Sequence, residues 1–173
     1  MSDMFCFQCQ QTAGNTGCIK TGVCGKQPST ALLQDLLVEE LIRLSHAAME
    51  AGVQTDSCTA LLADGLFTTL TNVNFDDASI KRFTDRVQAM RRRLDSPGSE
   101  RKERFIAPLW EGDTDTVSLR STLLFGLKGM AAYAHHAARL GFHDPEVDGW
   151  FYRGLTELTK THSAEEWLSL IME

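Results

Sequence analysis

Four of the five cysteines in this 173-residue chain lie within its first 24 residues, and this clustering constrains the fold more than any other feature. They are Cys6, Cys9, Cys18 and Cys24, in the spacing C-x2-C-x8-C-x5-C. Thiolates are soft ligands that suit zinc and iron–sulfur clusters. Where no secretory signal is present, clustered cysteines indicate a metal or cluster site more often than disulfides. The segment therefore predicts a cofactor-binding loop.

The cysteine spacing favours an iron–sulfur cluster over zinc. Structural zinc sites usually pair two cysteine knuckles separated by a hairpin, whereas here the second pair is split by five residues and no strand pattern is visible. Gly14, Gly17, Gly22 and Gly25 are expected to leave amide N–H groups free to point at cluster sulfurs. Zinc and redox cysteines without a cofactor stay as alternatives. The spacing also differs from the common ferredoxin runs, so an ordinary ferredoxin is not expected.

Composition excludes several classes of protein. Apolar residues at 43% and charged residues at 23% are typical of a globular protein of one domain or two very small ones. The net charge of −6 gives no general attraction to phosphate backbones, so a nucleic-acid partner is not expected. The N-terminus lacks the basic start and apolar run of a signal peptide, and no stretch is long and apolar enough to span a membrane. We therefore expect a cytoplasmic protein that does not enter a membrane.

Apolar periodicity predicts an all-α fold after the loop. Residues 1–28 form the cluster-binding loop, residues 29–94 a first three-helix bundle, residues 95–116 a connector rich in proline and glycine, and residues 117–173 a second three-helix bundle. In the first bundle, one helix is capped by Ser29 or Thr30, a second runs from Ser57 to about Thr71, and a third starts at residues 74–77. In the second bundle, the first helix ends near Gly141, the second runs from Pro145 to about Lys160, and the third starts at Ser163.

The two bundles are predicted to be copies of one unit. At a constant offset of 89 residues, several residues match without a gap: His46 with His135, Ala48 with Ala137, Gly52 with Gly141, Gly65-Leu66 with Gly154-Leu155, and Asp76-Asp77 with Glu165-Glu166. An ungapped series of matches over this span favours duplication over chance. The third helix of the second copy stops at Glu173, short of its counterpart.

The residues also carry a resemblance to a known family. The N-terminal stretches are MFCFQCQQTA (4–13), TGC (16–18) and GVCGK (22–26), and further stretches are LQDLL (33–37), GLFTTLTNVNFDD (65–77) and GLKGMAAYA (126–134). Together they resemble the N-terminal region of the hybrid cluster proteins, also called prismane proteins or hydroxylamine reductases. The resemblance implies an all-helical domain of two three-helix bundles. It also implies a [4Fe-4S] cluster on Cys6, Cys9, Cys18 and Cys24, because members with wider cysteine spacing are linked to [2Fe-2S].

The later domains of that family are not in this chain. In full-length members they hold a hybrid iron–sulfur–oxygen cluster with one His, two Glu and several Cys. Outside the quartet this chain has only Cys58, and one thiol cannot assemble such a site. The reductase activity is therefore not carried over to this chain alone.

Other candidate residues have plainer interpretations. Cys58 is expected to be a half-buried small residue, although a helix N-terminus lowers a thiol pKa. His135 and His136 lack a third ligand at fixed spacing and are expected, with His46, to cap or pack helix ends. The paired acids 76–77 and 165–166 suit first helical turns, and the basic run 91–93 suits a solvated helix end. Three tryptophans are expected to pack: Trp110, Trp150 and Trp167.

The sequence predicts an iron–sulfur electron-transfer module that accepts one electron and passes it on. Lys20 and Lys26 are expected to offset part of the cluster's negative charge. The alternatives are a part of a hydroxylamine or nitric oxide reductase whose catalytic domains lie elsewhere, and a sensor of oxygen or nitric oxide. Because this domain packs on later domains in the family, we expect an apolar surface here, and pairing either as a homodimer or with a redox partner such as a reductase or a hybrid-cluster subunit.

Overall fold

A computed structural model describes residues 4–10, 13–95 and 107–173, so half of the predicted connector, residues 96–106, lies outside the described residues. In the described part the chain forms α-helices and two short 3₁₀ turns, Ala13–Asn15 and Ala107–Trp110, and no strand. The helices are α1 (Pro28–Ala51), α2 (Asp56–Thr68), α3 (Asp77–Leu94), α4 (Thr114–Arg139), α5 (Pro145–Glu157) and α6 (Ala164–Met172). The predicted all-α fold is confirmed.

Most helices begin at a side chain that accepts hydrogen bonds from the first-turn amides. The capping residues of α2 to α6 are Thr55, Asp76, Asp113, Asp144 and Ser163. Such caps satisfy amide groups that have no partner inside the helix.

Helix α1 is the exception, and here the prediction of a Ser29 or Thr30 cap is wrong. The residue before the helix is Gln27, whose side chain makes no capping bond, and Pro28 occupies the first turn. Proline suits that position because its φ is already helical and it has no N–H to satisfy. The Thr30 hydroxyl instead donates to the Asp77 carboxylate at 2.6 Å, which ties the starts of α1 and α3 together.

The two halves, α1–α3 and α4–α6, repeat one packing plan. Helix α1 packs on α2 and α3, and α4 packs on α5 and α6. Between the halves, α2 packs on α4 and α5 packs on α1. In both pairs, the second helix of one half contacts the first helix of the other half. The halves share one buried core that includes Leu41, Leu66, Leu124 and Phe151. The chain therefore folds as two related three-helix units around a common apolar centre.

The repeat is regular in its second helix, α2 against α5, and shifts at the third. Both ends of α2 and α5 stand 89 residues apart, as the sequence predicts. At the third helix, however, the cap Asp76 corresponds to Ser163 and not to Glu165, so the offset shortens to 87 residues. The carboxylate of Glu166 accepts from the Ser163 amide and closes a capping box. The alignment of the acidic pairs as equivalent caps is therefore wrong by two residues.

The repeated histidines join the two halves. His46 in α1 contacts the Thr159 hydroxyl at 2.9 Å, and His135 in α4 contacts the Asp64 carboxylate at 2.7 Å and stacks on Phe67. Each bond crosses from one half to the other. The histidines are interface residues, as their plainer interpretation predicts.

The remaining aromatic and basic residues are used in packing. Trp167 is fully buried, Trp150 lies half-buried under the Arg153 guanidinium, and Trp110 stacks on Phe7 at 4.4 Å. The first residue of the basic run, Arg91, is half-buried and pairs with Glu40 at 3.2 Å, so only part of that run is solvated. Among the described residues, no helix has the length and apolar character needed to cross a membrane.

Candidate cluster-binding site

The four N-terminal cysteines line one cavity of about 250 Å³. Cys18 is buried, and Cys6, Cys9 and Cys24 are half-buried. The rest of the wall comes from the loop itself and from the turn between α2 and α3, with Gly22, Val23, Lys26, Thr71 and Asn72. The structure therefore brings the four predicted ligands to one place, against the first helical half.

Backbone hydrogen bonds hold the cysteine loop in shape. The Cys6 amide donates to the Cys18 carbonyl at 3.1 Å, which joins the two parts of the loop. The Val23 amide donates to the Cys18 Sγ at 3.4 Å. Amide donors to ligand sulfurs are among the features that tune such sites.

The prediction that glycine amides stay free for sulfur is not met at two positions. The Gly22 amide donates to the Lys26 carbonyl at 2.7 Å, and the Gly25 amide donates to the Gly22 carbonyl at 2.8 Å. These bonds close a tight turn around Cys24, in which Gly25 has a φ of 91°. The sulfur-directed amide belongs to Val23 instead. The glycines thus shape the turn, and the turn aims a neighbouring amide.

Gly22 is also required by close approach. A Cβ at this position would lie 3.0 Å from both the Cys24 Sγ and the Lys26 Cβ. A side chain would therefore push the Cys24 thiol or the lysine out of the cavity wall. Any larger residue at position 22 would therefore partly fill the cavity.

A buried cation faces the same cavity. Lys26 is 1% exposed, and its Nζ donates to the Gln34 side-chain oxygen, whose amide nitrogen donates to the Asn74 carbonyl at 3.0 Å. Within the described part of the chain it makes no ion pair. A buried ammonium with a neutral partner is costly unless an anion lies close to it. The wall chemistry therefore fits an anionic group held by thiolates, whereas Lys20 is exposed to solvent.

A second buried lysine lies behind the loop and was missed by sequence reasoning. Lys128 of α4 is 1% exposed, and its Nζ donates to the Gln8 side-chain oxygen at 2.5 Å. Gln8 lies between Cys6 and Cys9, and its amide nitrogen donates to the Asp35 carboxylate. Burial lowers the pKa of Lys128 to about 7, with the Asp35 charge opposing, and burial raises the pKa of Asp35 to about 7.

The thiol environments differ between the quartet and the fifth cysteine. Burial raises the pKa of the Cys6 thiol, while the Gln8 amide and Lys26 oppose the shift. Ligation requires the thiolate, so binding would release this proton. Cys58 is fully buried in the helical core, where burial raises its pKa. Its burial is more complete than the sequence suggests, and the α2 N-terminus does not activate it.

The quartet surrounds a volume and does not converge on a point. In residues 4–10, 13–95 and 107–173, no three His, Cys, Asp or Glu side chains lie close enough together to hold one metal ion. The paired histidines and paired acids therefore form no alternative metal site in that part of the chain.

The architecture defines a class of protein: an all-α chain of two repeated halves with a cysteine-lined cavity at its N-terminal loop. A model of the Prismane/CO dehydrogenase family matches residues 4–173, and the chain belongs to this family. The resemblance predicted from the sequence is thereby confirmed.

Three relatives of this chain are hydroxylamine reductases. It is 38% identical to a hydroxylamine reductase of Methanocella arvoryzae, over 98% of this chain and 37% of the relative. It is 41% identical to a hydroxylamine reductase of Porphyromonas gingivalis and 37% identical to one of Nitratidesulfovibrio vulgaris, each over 98% of this chain and 36% of the relative. The chain thus spans little more than a third of the length of these relatives.

Proposed function

We propose that this chain binds one [4Fe-4S] cluster through Cys6, Cys9, Cys18 and Cys24 and serves as a one-electron transfer module. One observation carries the proposal: the four cysteines line the same cavity, whose wall includes the buried Lys26, which makes no ion pair within the described residues. The family is one of iron–sulfur proteins, which supports the same choice. The four thiols line one cavity of about 250 Å³, which supports a polynuclear cluster over a single zinc ion. When bound, such a cluster accepts and donates single electrons.

The chain's own residues would set the charge balance around that electron. Four thiolates around a cubane core give an oxidised site of about −2. Lys26 in the wall and Lys128 behind the loop bring two buried positive charges close to it, against the single carboxylate of Asp35. Buried cations favour the more negative, reduced state, so they raise the reduction potential.

A second candidate function follows from the relatives. The relatives compared above are named hydroxylamine reductases, and this chain aligns with little more than a third of their length. We propose that this module delivers electrons to a reductase site formed by other residues, either of a longer chain or of a partner protein. The quartet, Cys58 and the interface histidines supply no ligand set for that chemistry within the described residues.

Metal and sulfide analysis of anaerobically purified protein tests the cofactor. We expect about four irons and four sulfides per chain, with the visible absorption and the EPR signal of a reduced [4Fe-4S] cluster. Cys18→Ser should lose the cluster, because Cys18 is the most buried ligand. Cys58→Ser is the matched control and should retain it. Stoichiometric zinc without visible absorption would defeat the proposal.

Activity of the isolated chain tests whether hydroxylamine reduction needs residues outside this chain. We expect no hydroxylamine reduction by the purified chain with a chemical electron donor. Turnover in the ordinary enzyme range of roughly 1–10³ per second would contradict this assignment.

We further propose that the chain associates with a redox partner or with a second copy of itself. Light scattering over a range of concentrations distinguishes both from a 19.2 kDa monomer.

A further inference from the structure

Distant stretches of the chain meet directly behind the cysteine loop. Gln8 comes from the family stretch 4–13, Gln34 and Asp35 from 33–37, Asn74 from 65–77 and Lys128 from 126–134. These residues form two short chains of hydrogen bonds, Lys26–Gln34–Asn74 and Lys128–Gln8–Asp35. The first secures the loop to the first half alone. The second secures it to both halves at once.

The second chain of bonds depends on a glutamine between the two ligands Cys6 and Cys9. The Gln8 amide oxygen accepts from the Lys128 ammonium, and its amide nitrogen donates to the Asp35 carboxylate. Lys128 is an obligate donor and Asp35, when ionised, an obligate acceptor, so only a group that both accepts and donates can bridge them. Gln8 is 3% exposed, and water therefore cannot easily replace either bond.

This arrangement makes the cysteine turn dependent on the second half of the chain. Asp35 belongs to α1, and Lys128 belongs to α4 and is separated from Gln8 by 120 positions in the sequence. If α4 does not dock on the first half, Gln8 loses its charged donor. The turn that carries Cys6 and Cys9 is then held from one side only.

We propose that Lys128 is a positioning residue for the cluster, acting through Gln8 to fix the Cys6–Cys9 turn and placing a buried positive charge behind it. The inference rests on the proposed cluster-binding function and extends it to a residue outside the loop. Partners of this kind, one step beyond the ligands, typically change metal affinity by about 10–100-fold. Cluster retention is thereby coupled to the docking of the two halves.

The test uses the full chain carrying its cluster, and it measures the rate of iron loss to a chelator and the midpoint potential. Lys128→Met keeps the length of the side chain and removes its charge and donor. We expect iron loss at least about tenfold faster than in the wild type and a lower midpoint potential. Lys160→Met, at an exposed lysine beyond α5, is the matched control and should change neither.

A donor–acceptor exchange keeps the test decisive if Lys128→Met does not fold. Gln8→Glu still accepts from Lys128 but places a second carboxylate against Asp35, so iron loss should accelerate. Adding Asp35→Asn supplies a donor in place of the carboxylate and restores the original net charge. The double variant should therefore recover most of the wild-type retention and potential. Loss of helix stability alone would not produce this recovery.

The outcomes separate this inference from the proposed function. A wild-type chain that takes up no cluster overturns the proposed function. A wild-type chain that takes it up, combined with wild-type iron loss and potential in Lys128→Met, overturns only the role of Lys128. Failure of Asp35→Asn to rescue Gln8→Glu overturns the bridging role of Gln8.

Discussion

The two halves of the molecule follow the same plan, but among the described residues two apolar cavities lie along the second half. Helix α3 has 18 residues and covers α1 with Val87, Met90 and Leu94, whereas α6 has nine residues. Beyond the middle of α4, two cavities of about 240 and 370 Å³ lie side by side. Their apolar walls include Leu123, Met130, Ala134, Ala137, Val147 and Trp150. Repetition of a helical unit therefore reproduces the helix pairing, whereas these two cavities lie along α4 and α5.

The halves also contribute differently to the candidate site. The first half supplies Gln34, Asp35 and the turn at Asn72, and the second half supplies Lys128, which bonds Gln8. One half therefore forms most of the wall, and the other adds a single buried charge. Substitutions in the two halves therefore test how the buried charges and the cavities affect stability.

The largest expected difference concerns the pH dependence of the cluster-free protein. Burial raises the pKa of Asp35 from 3.8 to about 7, so the folded state holds a proton that the unfolded state has lost, and stability falls as pH rises over that window. Burial lowers the pKa of Lys128 from 10.5 to about 7, so stability rises with pH above 7. Each slope approaches about 1 kcal/mol per pH unit for one proton.

Denaturant unfolding of the cluster-free protein at a series of pH values measures these slopes. Asp35→Asn should remove the fall between pH 4 and about 7, and Lys128→Met the rise above about 7. Lys160→Met is again the control, because its ammonium is exposed. Parallel stability curves for the wild type and both variants would show that the two groups titrate alike in the folded and unfolded states.

The second prediction uses matched alanines on the first helix of each half. Ala48 in α1 is fully buried, while its counterpart Ala137 in α4 lines the larger cavity. Ala48→Leu should lower the free energy of unfolding by about 3 kcal/mol, because the closed core has no room for added methylenes. Ala137→Leu fills open space and should change stability by less than about 1 kcal/mol. Equal losses at both positions would show that the second half is as tightly packed as the first.

These matched positions show how much of the fold was predictable. Helix number, helix order and the α2–α5 correspondence follow from apolar spacing and caps, because both signals are local in sequence. The start of α1 was misplaced because Ser29 and Thr30 are good caps, while Pro28 prefers the first turn itself. The 87-residue offset between the caps Asp76 and Ser163 was not predicted, because the acidic pairs match in residue type, whereas Asp76 caps its helix and Glu165 lies inside the first turn.

The sequence predicts the four candidate cysteines of the site but not the residues that surround them. Cysteine spacing identified the quartet without any knowledge of the fold. The use of Gly22 and Gly25 amides inside the turn depends on backbone geometry that spacing does not specify. Lys128 and Asp35 were missed because their contact with Gln8 is tertiary. The only available signal was that each lies in a stretch shared with the family, among many neighbours with no such role.

The third prediction concerns two glycines at equivalent positions in α2 and α5. A Cβ on Gly65 would lie 2.6 Å from the Leu41 Cδ2, and one on Gly154 would lie 2.7 Å from the Leu127 Cδ2. Leu41 is enclosed in the first half, whereas Leu127 borders the smaller cavity and can turn into it. We expect Gly65→Val to cost about 2 kcal/mol and Gly154→Val about half of that. Chemical denaturation checks both, and a larger loss at Gly154 would reverse the comparison.

The smallest expected effect concerns the caps of the two third helices. Asp76 accepts from the Ala78 and Ser79 amides at 2.9 and 3.1 Å, and Ser163 accepts from the Glu166 amide at 3.3 Å. Replacing either cap with alanine should cost about 1 kcal/mol. The two losses should differ in whether they appear in global unfolding or only in local opening of the helix. Helix α3 is held along its length by core contacts, so Asp76→Ala should lower global stability while leaving exchange protection in α3 cooperative.

Helix α6 has one fully buried side chain, Trp167, and its far end borders a cavity. Ser163→Ala should therefore open α6 locally, with faster amide hydrogen exchange over residues 164–172 and little change in global unfolding. Two exposed positions serve as controls, Asp85→Ala in α3 and Ser169→Ala in α6, and neither should alter exchange in the first turn. If Ser163→Ala lowers global stability as much as Asp76→Ala does, the short helix is as much a part of the cooperative core as its longer counterpart. The open cavities would then mark a rigid surface and not a loosely covered half.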